Sequence, residues 1–354
     1  MPKFWVTPIA AVFFLCAPSA EAGVIVPIPS VPGSSYMTVE GINDSNQIAG
    51  YYNTPDGAYH GFVGDLNGNY TTFDAGPGGS VVHGLNNAGD VTGTAYDKVG
   101  DFIGKAFVRT PGGIIKLITK DGASFDGYAD GITNKTVFVG ARYQLTDKLY
   151  EFGYYGKGRA YTADLTVPFN TYQTRPRGIN KHGEVAGFFL DMDHAVNESI
   201  PDSGFVLKDG VAARVIYPDA DAFNTFLFGL NDRGAIVGSW LNTAQTAEHG
   251  FLYNFEKNRF KLLDVPGHSF SEALAINHAG LVTITTEDNS YLYCPEKRTC
   301  PLDSESAKDI PDRWISAAKL SHRVPCENAC IGSPHKSLAL QNPTADRAAI
   351  ARGV

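Results

Sequence analysis

One stretch of the sequence gathers acidic groups of the kind that bind cations or transfer protons. Asp191-Met192-Asp193-His194 is followed at a short distance by Glu198. Carboxylates at this density can ligate calcium or act as general acid and general base in glycoside cleavage. The segment matches no calcium-loop pattern, and most charged loops are simply solvated. Two interpretations therefore stand, a solvated loop and an acid–base site.

A second group of candidates consists of aromatic side chains, which offer flat apolar area beside polar groups. Such surfaces suit a carbohydrate or a partner protein. The alternative is that the rings only fill gaps between packed strands. Together with the two aspartates, the candidate ligand-binding residues are Tyr51, Tyr52, Tyr143, Tyr154, Tyr155, Phe188, Asp191, Asp193 and Trp240.

The sequence contains none of the motifs that mark common catalytic or nucleotide sites, such as Gly-x-Ser-x-Gly, His-Glu-x-x-His or a phosphate loop. We therefore predict no catalytic residue, no metal and no cofactor. The formal net charge of −8 argues against nucleic acid or anionic lipid as the main partner. A monomer is expected.

The first 22 residues have the composition of a secretory signal peptide. Lys3 precedes an apolar run from Phe4 to Cys16, and Ala20-Glu21-Ala22 gives a small-x-small cleavage pattern. No later stretch approaches the length of a membrane helix. We expect cleavage after Ala22 and a secreted or periplasmic protein.

Four cysteines remain after that cleavage, an even number in an oxidising compartment. Sequential pairing is the simplest of the three possible connectivities, and a zinc site is the alternative. The four are Cys294, Cys300, Cys326 and Cys330.

An internal repeat must position these candidates. Gly41-Ile42-Asn43 begins a ten-residue unit that ends at Gly50 and returns along the chain, twice in degenerate form. The spacing between copies is 43 residues at the shortest and 51 at the longest, which is the length of a four-stranded propeller blade. The anchoring asparagines predicted from it are Asn43, Asn86, Asn134, Asn180, Asn231 and Asn277.

Each unit contains four pieces with strand-like alternation. We therefore predict an all-β fold, a single β-propeller of about six four-stranded blades over residues 23–303. Val24 to Pro29 is expected to close the last blade, with Thr299 to Asp303 as the competing strand and a Cys294–Cys300 disulfide at its end. The alternatives are a seven-bladed ring and an open β-solenoid. Residues 304–354 are expected to form a mostly irregular tail.

Residues that recur in every blade are best explained by the structure that all blades share. Function is therefore expected where the repeat is broken. The loops between the second and third strands vary most. They are predicted at Ala141 to Lys157, Phe188 to Asp202 and Ser239 to Glu248, which puts the third strand of blade 3 at Arg159 to Thr162. These loops emerge on the same face as the crossovers between blades, here called the long-loop face.

The repeated Gly-Ile-Asn-Asp-x-Gly-x-Ile-x-Gly segment followed by His-Gly-Phe resembles the bacterial extracellular HAF-repeat family. The match is clearest in the copies that begin at Gly41 and Gly229. It departs at Thr133 in the third copy and at Ser290-Tyr291-Leu292 in the sixth. The resemblance implies export and a repeat β architecture, and it implies no enzymatic activity.

The leading hypothesis is a secreted, non-enzymatic propeller that binds a glycan or an extracellular protein on the long-loop face. One alternative is a hydrolase or lyase that acts on extracellular polysaccharide through Asp191, Asp193 or Glu198. Another is a structural component of the envelope. If the carboxylates and aromatics converge at the axis, an enzyme or a small-ligand site is favoured. If they are scattered around the rim, a binding module or a scaffold is favoured.

Overall fold

The repeats fold as short antiparallel strands because apolar and polar residues alternate between tight turns. The structure, a computed structural model, describes residues 23–195, 199–295 and 300–302. These residues form six sheets, which are the blades of a six-bladed β-propeller. Five sheets have four strands, and the third has two short strands in addition.

The strands are numbered along the chain, and the first strand of each blade lies at the axis. Blade 1 consists of β2 (Tyr36–Ile42), β3 (Gln47–Asn53), β4 (Tyr59–Asp65) and β5 (Tyr70–Phe73). Blade 2 consists of β6 (Ser80–Leu85), β7 (Val91–Ala95), β8 (Lys105–Arg109) and β9 (Ile115–Leu117). Blade 3 consists of β12 (Gly127–Ile132), β13 (Val137–Leu145), β14 (Leu149–Lys157) and β15 (Ala160–Asp164), with β10 (Thr119–Lys120) and β11 (Ala123–Ser124) beside it.

Blade 4 consists of β16 (Thr174–Ile179), β17 (Val185–Leu190), β18 (Asp202–Lys208) and β19 (Val211–Val215). Blade 5 consists of β20 (Ala222–Leu230), β21 (Ala235–Asn242), β22 (Glu248–Asn254) and β23 (Arg259–Leu262). Blade 6 consists of β24 (Glu272–Ile276), β25 (Val282–Thr285), β26 (Ser290–Cys294) and, from the start of the chain, β1 (Val24–Pro27). A single 3-10 turn at Met192–His194 follows blade 4's second strand.

The N-terminal strand closes the ring, as predicted. β1 pairs antiparallel with β26, so that Val24 lies opposite Cys294. The expectations of a seven-bladed ring and of an open solenoid are wrong for the described residues, because six sheets account for every described blade. Of the competing segment, Pro301 and Leu302 form a turn and not a strand.

Two of the predicted cysteines form a disulfide at the end of the last blade. Cys294 and Cys300 are joined by a disulfide, with their Cα atoms 5.5 Å apart. The predicted signal peptide, Cys326, Cys330 and the predicted tail at 304–354 lie outside the described residues.

The recurring asparagines organise the first turn of each blade and tie it to the next blade. Asn43 Oδ1 accepts hydrogen bonds from the backbone N–H groups of Ser45 and Gln47, both at 3.0 Å. Its Nδ2 donates to the backbone carbonyl of Asn86 at 3.2 Å. The same donation runs from Asn86 to Thr133, from Asn180 to Asn231, from Asn231 to Asn277 and from Asn277 to Asn43. We call these bonds the amide circuit.

The predicted anchor of blade 3 is wrong by one residue. Thr133 occupies the anchor position, and its Oγ1 accepts the backbone N–H of Val137 at 3.2 Å. Asn134 occupies the next position, where its Oδ1 accepts the backbone N–H of Asn87 at 2.8 Å. Threonine has no amide to donate, so the amide circuit stops at the interface between blades 3 and 4.

The register of blade 3 also corrects the sequence analysis. Its third strand is β14, so Phe152-Gly153-Tyr154 stands where blade 1 has His60-Gly61-Phe62. The predicted loop from Ala141 to Lys157 is therefore a β-hairpin, and the predicted third strand at Arg159 to Thr162 lies largely in the fourth. Arg159-Ala160-Tyr161 resembles the His-Gly-Phe signature of the third strands. The segment that occupies this position in blade 3 begins with Phe152 in place of the histidine.

The core lies between the blades and centres on one aromatic residue of each third strand in blades 1 to 5. Each of these rings is fully buried and lies opposite a glycine of the second strand, which leaves room for it. Burying a large apolar side chain contributes roughly 1.5–3 kcal/mol. The five are Phe62, Phe107, Tyr154, Phe205 and Phe251.

Candidate ligand site on the propeller axis

A β-bulge interrupts the first strand of every blade at the same place. In blade 1 the pairing of β2 with β3 shifts between Val39 and Gly41, which leaves Glu40 as the extra residue. Bulges re-aim a side chain and are common next to functional sites. The equivalent residues, here called the bulge residues, are Glu40, His83, Asp130, Arg177, Phe228 and Leu274.

The bulge residues differ from blade to blade, whereas the residues that follow them repeat. In blades 1 to 5 the next residue is glycine, and a Cβ at Gly84 would lie 2.3 Å from the backbone oxygen of Asp130. Glycine therefore lets neighbouring inner strands approach each other. Each blade thus holds one variable side chain at the axis, and the sequence analysis missed this position.

Arg177 spans the axis and joins three blades. Its guanidinium contacts Asp130 of blade 3 (Nη1 to Oδ1, 3.0 Å) and Glu40 of blade 1 (Nη2 to Oε2, 3.4 Å). Blades 1 and 4 lie opposite each other in a six-bladed ring, so this side chain closes the centre. His83 Nδ1 lies 3.8 Å from the same Asp130 oxygen. Burial raises the pKa of Asp130 above its ordinary value, against the opposing effect of Arg177.

The layer around Arg177 is the floor of a funnel that opens on the face of the short turns. The funnel has an empty volume of about 890 Å³, its open end included. Six aliphatic side chains, one residue before each anchor position, line it: Ile42, Leu85, Ile132, Ile179, Leu230 and Ile276. Arg177 therefore separates this funnel from the long-loop face.

On the long-loop side of Arg177, further charges lie between blades 3 and 4. Arg175 forms an ion pair with Glu151, and its Nη2 donates to Gln173 Oε1 at 2.6 Å. Its Nη1 lies 3.7 Å from Asp202 Oδ1. Both carboxylates are buried. We call Glu40, Asp130, Glu151, Arg175, Arg177 and Asp202 the charged wall.

Aromatic side chains adjoin these charges. The ring of Phe188 lies 5.0 Å from that of Phe226 and 6.0 Å from that of Phe228. The guanidinium carbons of Arg175 and Arg177 each lie 5.4 Å from a ring centre, those of Phe188 and Phe228 respectively. Phe226 is half-buried and 13% of the Arg175 side chain is exposed, so solvent reaches part of both side chains. We call Phe188, Phe226, Phe228 and Leu274 the aromatic wall.

Two carboxyl groups lie at the interface between blades 5 and 6. Glu248 begins β22 and Glu272 begins β24, and the backbone N–H of Ser271 donates to the backbone carbonyl of Glu248 at 2.9 Å, which brings the two residues close together. The Ser239 hydroxyl donates a further bond to Glu248 Oε1. Burial raises the pKa of Glu248 to about 7, and burial together with Glu248 raises that of Glu272 well above its ordinary value.

The acidic stretch that begins at Asp191 lies on the rim and not at the axis. Asp191 Oδ2 contacts His194 Nδ1 at 3.1 Å and Arg214 Nε at 3.2 Å. Asp193 contacts Arg214 Nη2 at 2.9 Å, which lowers the pKa of Asp193. Arg214 belongs to β19, the outermost strand of blade 4. These residues form an ion-paired clasp, and Glu198 lies outside the described residues.

Two of the predicted aromatic candidates lie at the axis. Phe188 belongs to the aromatic wall, and the ring of Tyr143 lies 5.6 Å from that of Tyr128, close to the charged wall. By contrast, Tyr154 is a buried packing residue whose hydroxyl donates to the backbone carbonyl of Tyr128 at 3.0 Å. Tyr155 packs in the core between blades 3 and 4.

The remaining aromatic candidates have structural partners away from the axis. Tyr51 is buried against Tyr59. Tyr52 packs against His60, whose Nδ1 lies 2.8 Å from Asp74. Trp240 is buried and stacks on His249, which pairs with Asp264 in the same way at 2.9 Å. The recurring histidines therefore hold the third strand to the end of the fourth.

Two features of other protein classes, a cluster of metal ligands and a long apolar helix, are absent from the described residues. No three His, Cys, Asp or Glu side chains in these ranges lie together as a metal site. The same ranges contain no helix with the length and hydropathy of a membrane span.

Comparison with known proteins finds similarity among solved structures and not among sequences. No protein-family model matches the sequence, and no curated protein matches it. A gluconolactonase from Xanthomonas campestris has a TM-score of 0.47 and 9% identity, over 77% of this chain and 89% of that chain. The β-propeller domain of the trilobed protease from Pyrococcus furiosus has a TM-score of 0.44 and 8% identity, over 74% and 84%. A streptogramin B lyase has a TM-score of 0.40 and 11% identity, over 77% and 98%.

Proposed function

We propose that this chain is a secreted carbohydrate-binding propeller, which takes its ligand at the axis of the long-loop face and leaves it chemically unchanged. The observation that carries the proposal is the meeting of the aromatic wall with the charged wall at that place. A sugar ring has an apolar face that packs on a flat aromatic ring. Its hydroxyl groups need donors and acceptors, which guanidinium and carboxylate groups supply in charge-assisted hydrogen bonds.

The small exposed area of the aromatic wall favours a sugar over a protein partner. A stable protein interface buries on the order of 800 Å² on each side. The aromatic wall exposes little area, since Phe188, Phe228 and Leu274 are all buried and only Phe226 is half-buried. Such a small apolar surface suits one or two sugar rings. Export is supported by the composition of residues 1–22 and by the resemblance to the HAF-repeat family.

A glycan array followed by titration calorimetry tests the proposal. We expect Phe226→Ala to lower the affinity for the best glycan about tenfold or more, because one stacked ring is worth about 1.4 kcal/mol or more. Phe102→Ala is the matched control, since Phe102 is 76% exposed on a loop of blade 2, outside both walls. Chromatography of the glycan after incubation should show it intact. Binding that survives Phe226→Ala, or cleavage of the glycan, would overturn the proposal.

A further inference from the structure

We infer that a cleft between blades 1 and 2, on the face of the short turns, binds a carboxylate at Arg109, and that this carboxylate belongs to a sugar acid. The cleft is separate from the proposed site on the long-loop face, so the inference goes beyond the proposed function. Three features support it: the guanidinium of Arg109, the polar lining of the cleft and the difference between blade 2 and the other blades at this position.

Arg109 is a buried arginine without an anionic partner. Only 8% of the residue is exposed, and its Nε is buried with no hydrogen-bond partner among the described residues. Its Nη1 donates to the backbone carbonyl of Thr110 at 3.4 Å, and its guanidinium carbon lies 4.4 Å from the centre of the Phe73 ring. Burial lowers the pKa of Arg109, and no described carboxylate opposes that effect. A buried charge without a counter-ion is costly, so the site favours an anionic ligand.

The charge of the cleft favours a carboxylate over a phosphate. The Nε and Nη2 groups of an arginine present parallel N–H bonds, which match two oxygens of either anion. Asp65 also lines the cleft, but its oxygens accept hydrogen bonds from Asn69, from the backbone N–H at 3.1 Å and from Nδ2 at 2.8 Å. The bond from the Asn69 side chain lowers the pKa of Asp65 and keeps it ionised. A phosphate carries about two negative charges, so the singly charged carboxylate is repelled less by Asp65.

The rest of the cleft offers groups that bind hydroxyls. The cleft has an empty volume of about 820 Å³, its open side included. Gln47 Oε1 accepts a hydrogen bond from Asn43 Nδ2 at 3.1 Å, whereas Gln47 Nε2 has no acceptor among the described residues. Ser45 and Thr71 also line the cleft and carry hydroxyl groups. Amide and hydroxyl groups beside one cation suit a carboxylate on a hydroxylated frame, which is a sugar acid.

Among the six described blades, only blade 2 has a charged residue at this position of the third strand. Arg109 lies opposite Val91 of the second strand. The equivalent residues of the other blades are uncharged: Gly64, Gly156, Leu207, Tyr253 and Tyr293. Five blades therefore fold without a charge here, and a role particular to this cleft explains Arg109.

Calorimetric titration at neutral pH with four probes tests the inference: galacturonate, its linear tetramer, galactose and inorganic phosphate. We expect galacturonate to bind at least about tenfold more tightly than galactose and than phosphate. Tighter binding of the tetramer than of galacturonate supports the inference with a polysaccharide as the source of the acid, and equal affinities support it with a free sugar acid. Absence of binding by galacturonate and its tetramer overturns the inference, as does phosphate binding as tightly as galacturonate.

Variants of the cleft decide whether Arg109 is responsible. Arg109→Gln should lower the affinity for galacturonate at least about tenfold. Gln47→Glu serves if that variant fails to fold: it keeps an acceptor for Asn43, places a negative charge in the cleft and should lower the affinity as much. Arg233→Gln is the matched control, because Arg233 contacts His278 Nε2 at 3.0 Å on the same face, outside the cleft. An unchanged affinity in folded Arg109→Gln or Gln47→Glu overturns the inference.

Phe226→Ala separates this inference from the proposed function. Phe226 belongs to the aromatic wall, so its loss should leave the binding of galacturonate unchanged. Loss of galacturonate binding in Phe226→Ala but not in Arg109→Gln overturns the inference and supports the proposed site at the axis. Loss in Arg109→Gln alone supports the inference, whether or not the glycan array finds a ligand for the axis.

Discussion

The interface between blades 3 and 4 and the interface between blades 5 and 6 both bury charged side chains beside the aromatic wall, but they balance the charge differently. At the first, Arg175 and Arg177 pair with acids of blade 3. At the second, burial raises the pKa of both Glu248 and Glu272. The stability of the first interface should therefore depend most on its arginines, and the stability of the second should depend most on pH.

The largest effect is expected from Arg177→Met. The substitution keeps much of the volume but removes the guanidinium that pairs with Asp130 and Glu40, and breaking such a buried pair costs about 3–5 kcal/mol. Chemical denaturation should show this loss in the free energy of unfolding. Arg214→Met on the rim is the comparison and should cost less, because Asp191 keeps His194 and the backbone N–H of Asp193. Equal losses would contradict the special position of Arg177.

A pH dependence of stability is expected from blades 5 and 6. The pKa of Glu248 is about 7 in the folded chain and near 4.5 when unfolded, so the folded state binds more protons between these values. The free energy of unfolding should therefore fall as pH rises from about 4.5 to 7, by up to about 3 kcal/mol at 1.4 kcal/mol per pKa unit. Glu248→Gln should reduce the fall without abolishing it, because Asp130 contributes in the same direction. A fall of unchanged size in the variant would refute the assignment.

Thr133→Asn should produce a smaller effect, and a gain. An asparagine there supplies the donor that the amide circuit lacks between blades 3 and 4, and a hydrogen bond adds about 1 kcal/mol to stability. Thermal unfolding should show a higher midpoint. We expect a larger gain when Arg177→Met is also present, because the two interactions cross the same interface. If Thr133→Asn gives the same gain with and without Arg177→Met, the ion pairs of Arg177 do not compensate for the missing amide.

The smallest effect is expected from Asp193→Asn. Its side chain is 46% exposed, and exposed ion pairs contribute little to stability. Neither the free energy of unfolding nor glycan binding should change measurably. A loss of glycan binding would move the candidate site from the axis to the rim.

The blades and their closure could be predicted because they rest on residues that repeat. The Gly-Ile-Asn unit identifies each first strand, and Val31-Pro32-Gly33 matches Val265-Pro266-Gly267, which identifies Val24 to Pro29 as a last strand without its own blade. The predicted anchor and third strand of blade 3 are wrong because the repeat is degenerate there. Thr133 replaces the anchoring asparagine, and no histidine precedes Tyr154.

The axial site could not be predicted in the same way, because it takes one residue from each blade and these residues share no type. Glu40, Asp130 and Arg177 are separated along the chain by whole blades. The bulge that brings them together lies directly before the repeat, at a position that the repeat itself does not include. The sequence favours Asp191 and Asp193 instead, because their carboxylates are close together along the chain. In the structure this closeness serves a local ion-paired clasp on the rim. The one available indication was that the residue before each Gly-Ile-Asn unit never repeats.

The pairing of β1 with β26 also orders events during biosynthesis. β1 is made first, yet its partner strand is nearly the last part of the propeller to be made. Until then β1 has no partner strand, and unpaired strand edges invite pairing with other chains. Contacts this distant in sequence also form slowly. Any factor that shields Val24 to Pro27 during synthesis would therefore raise the yield of closed rings.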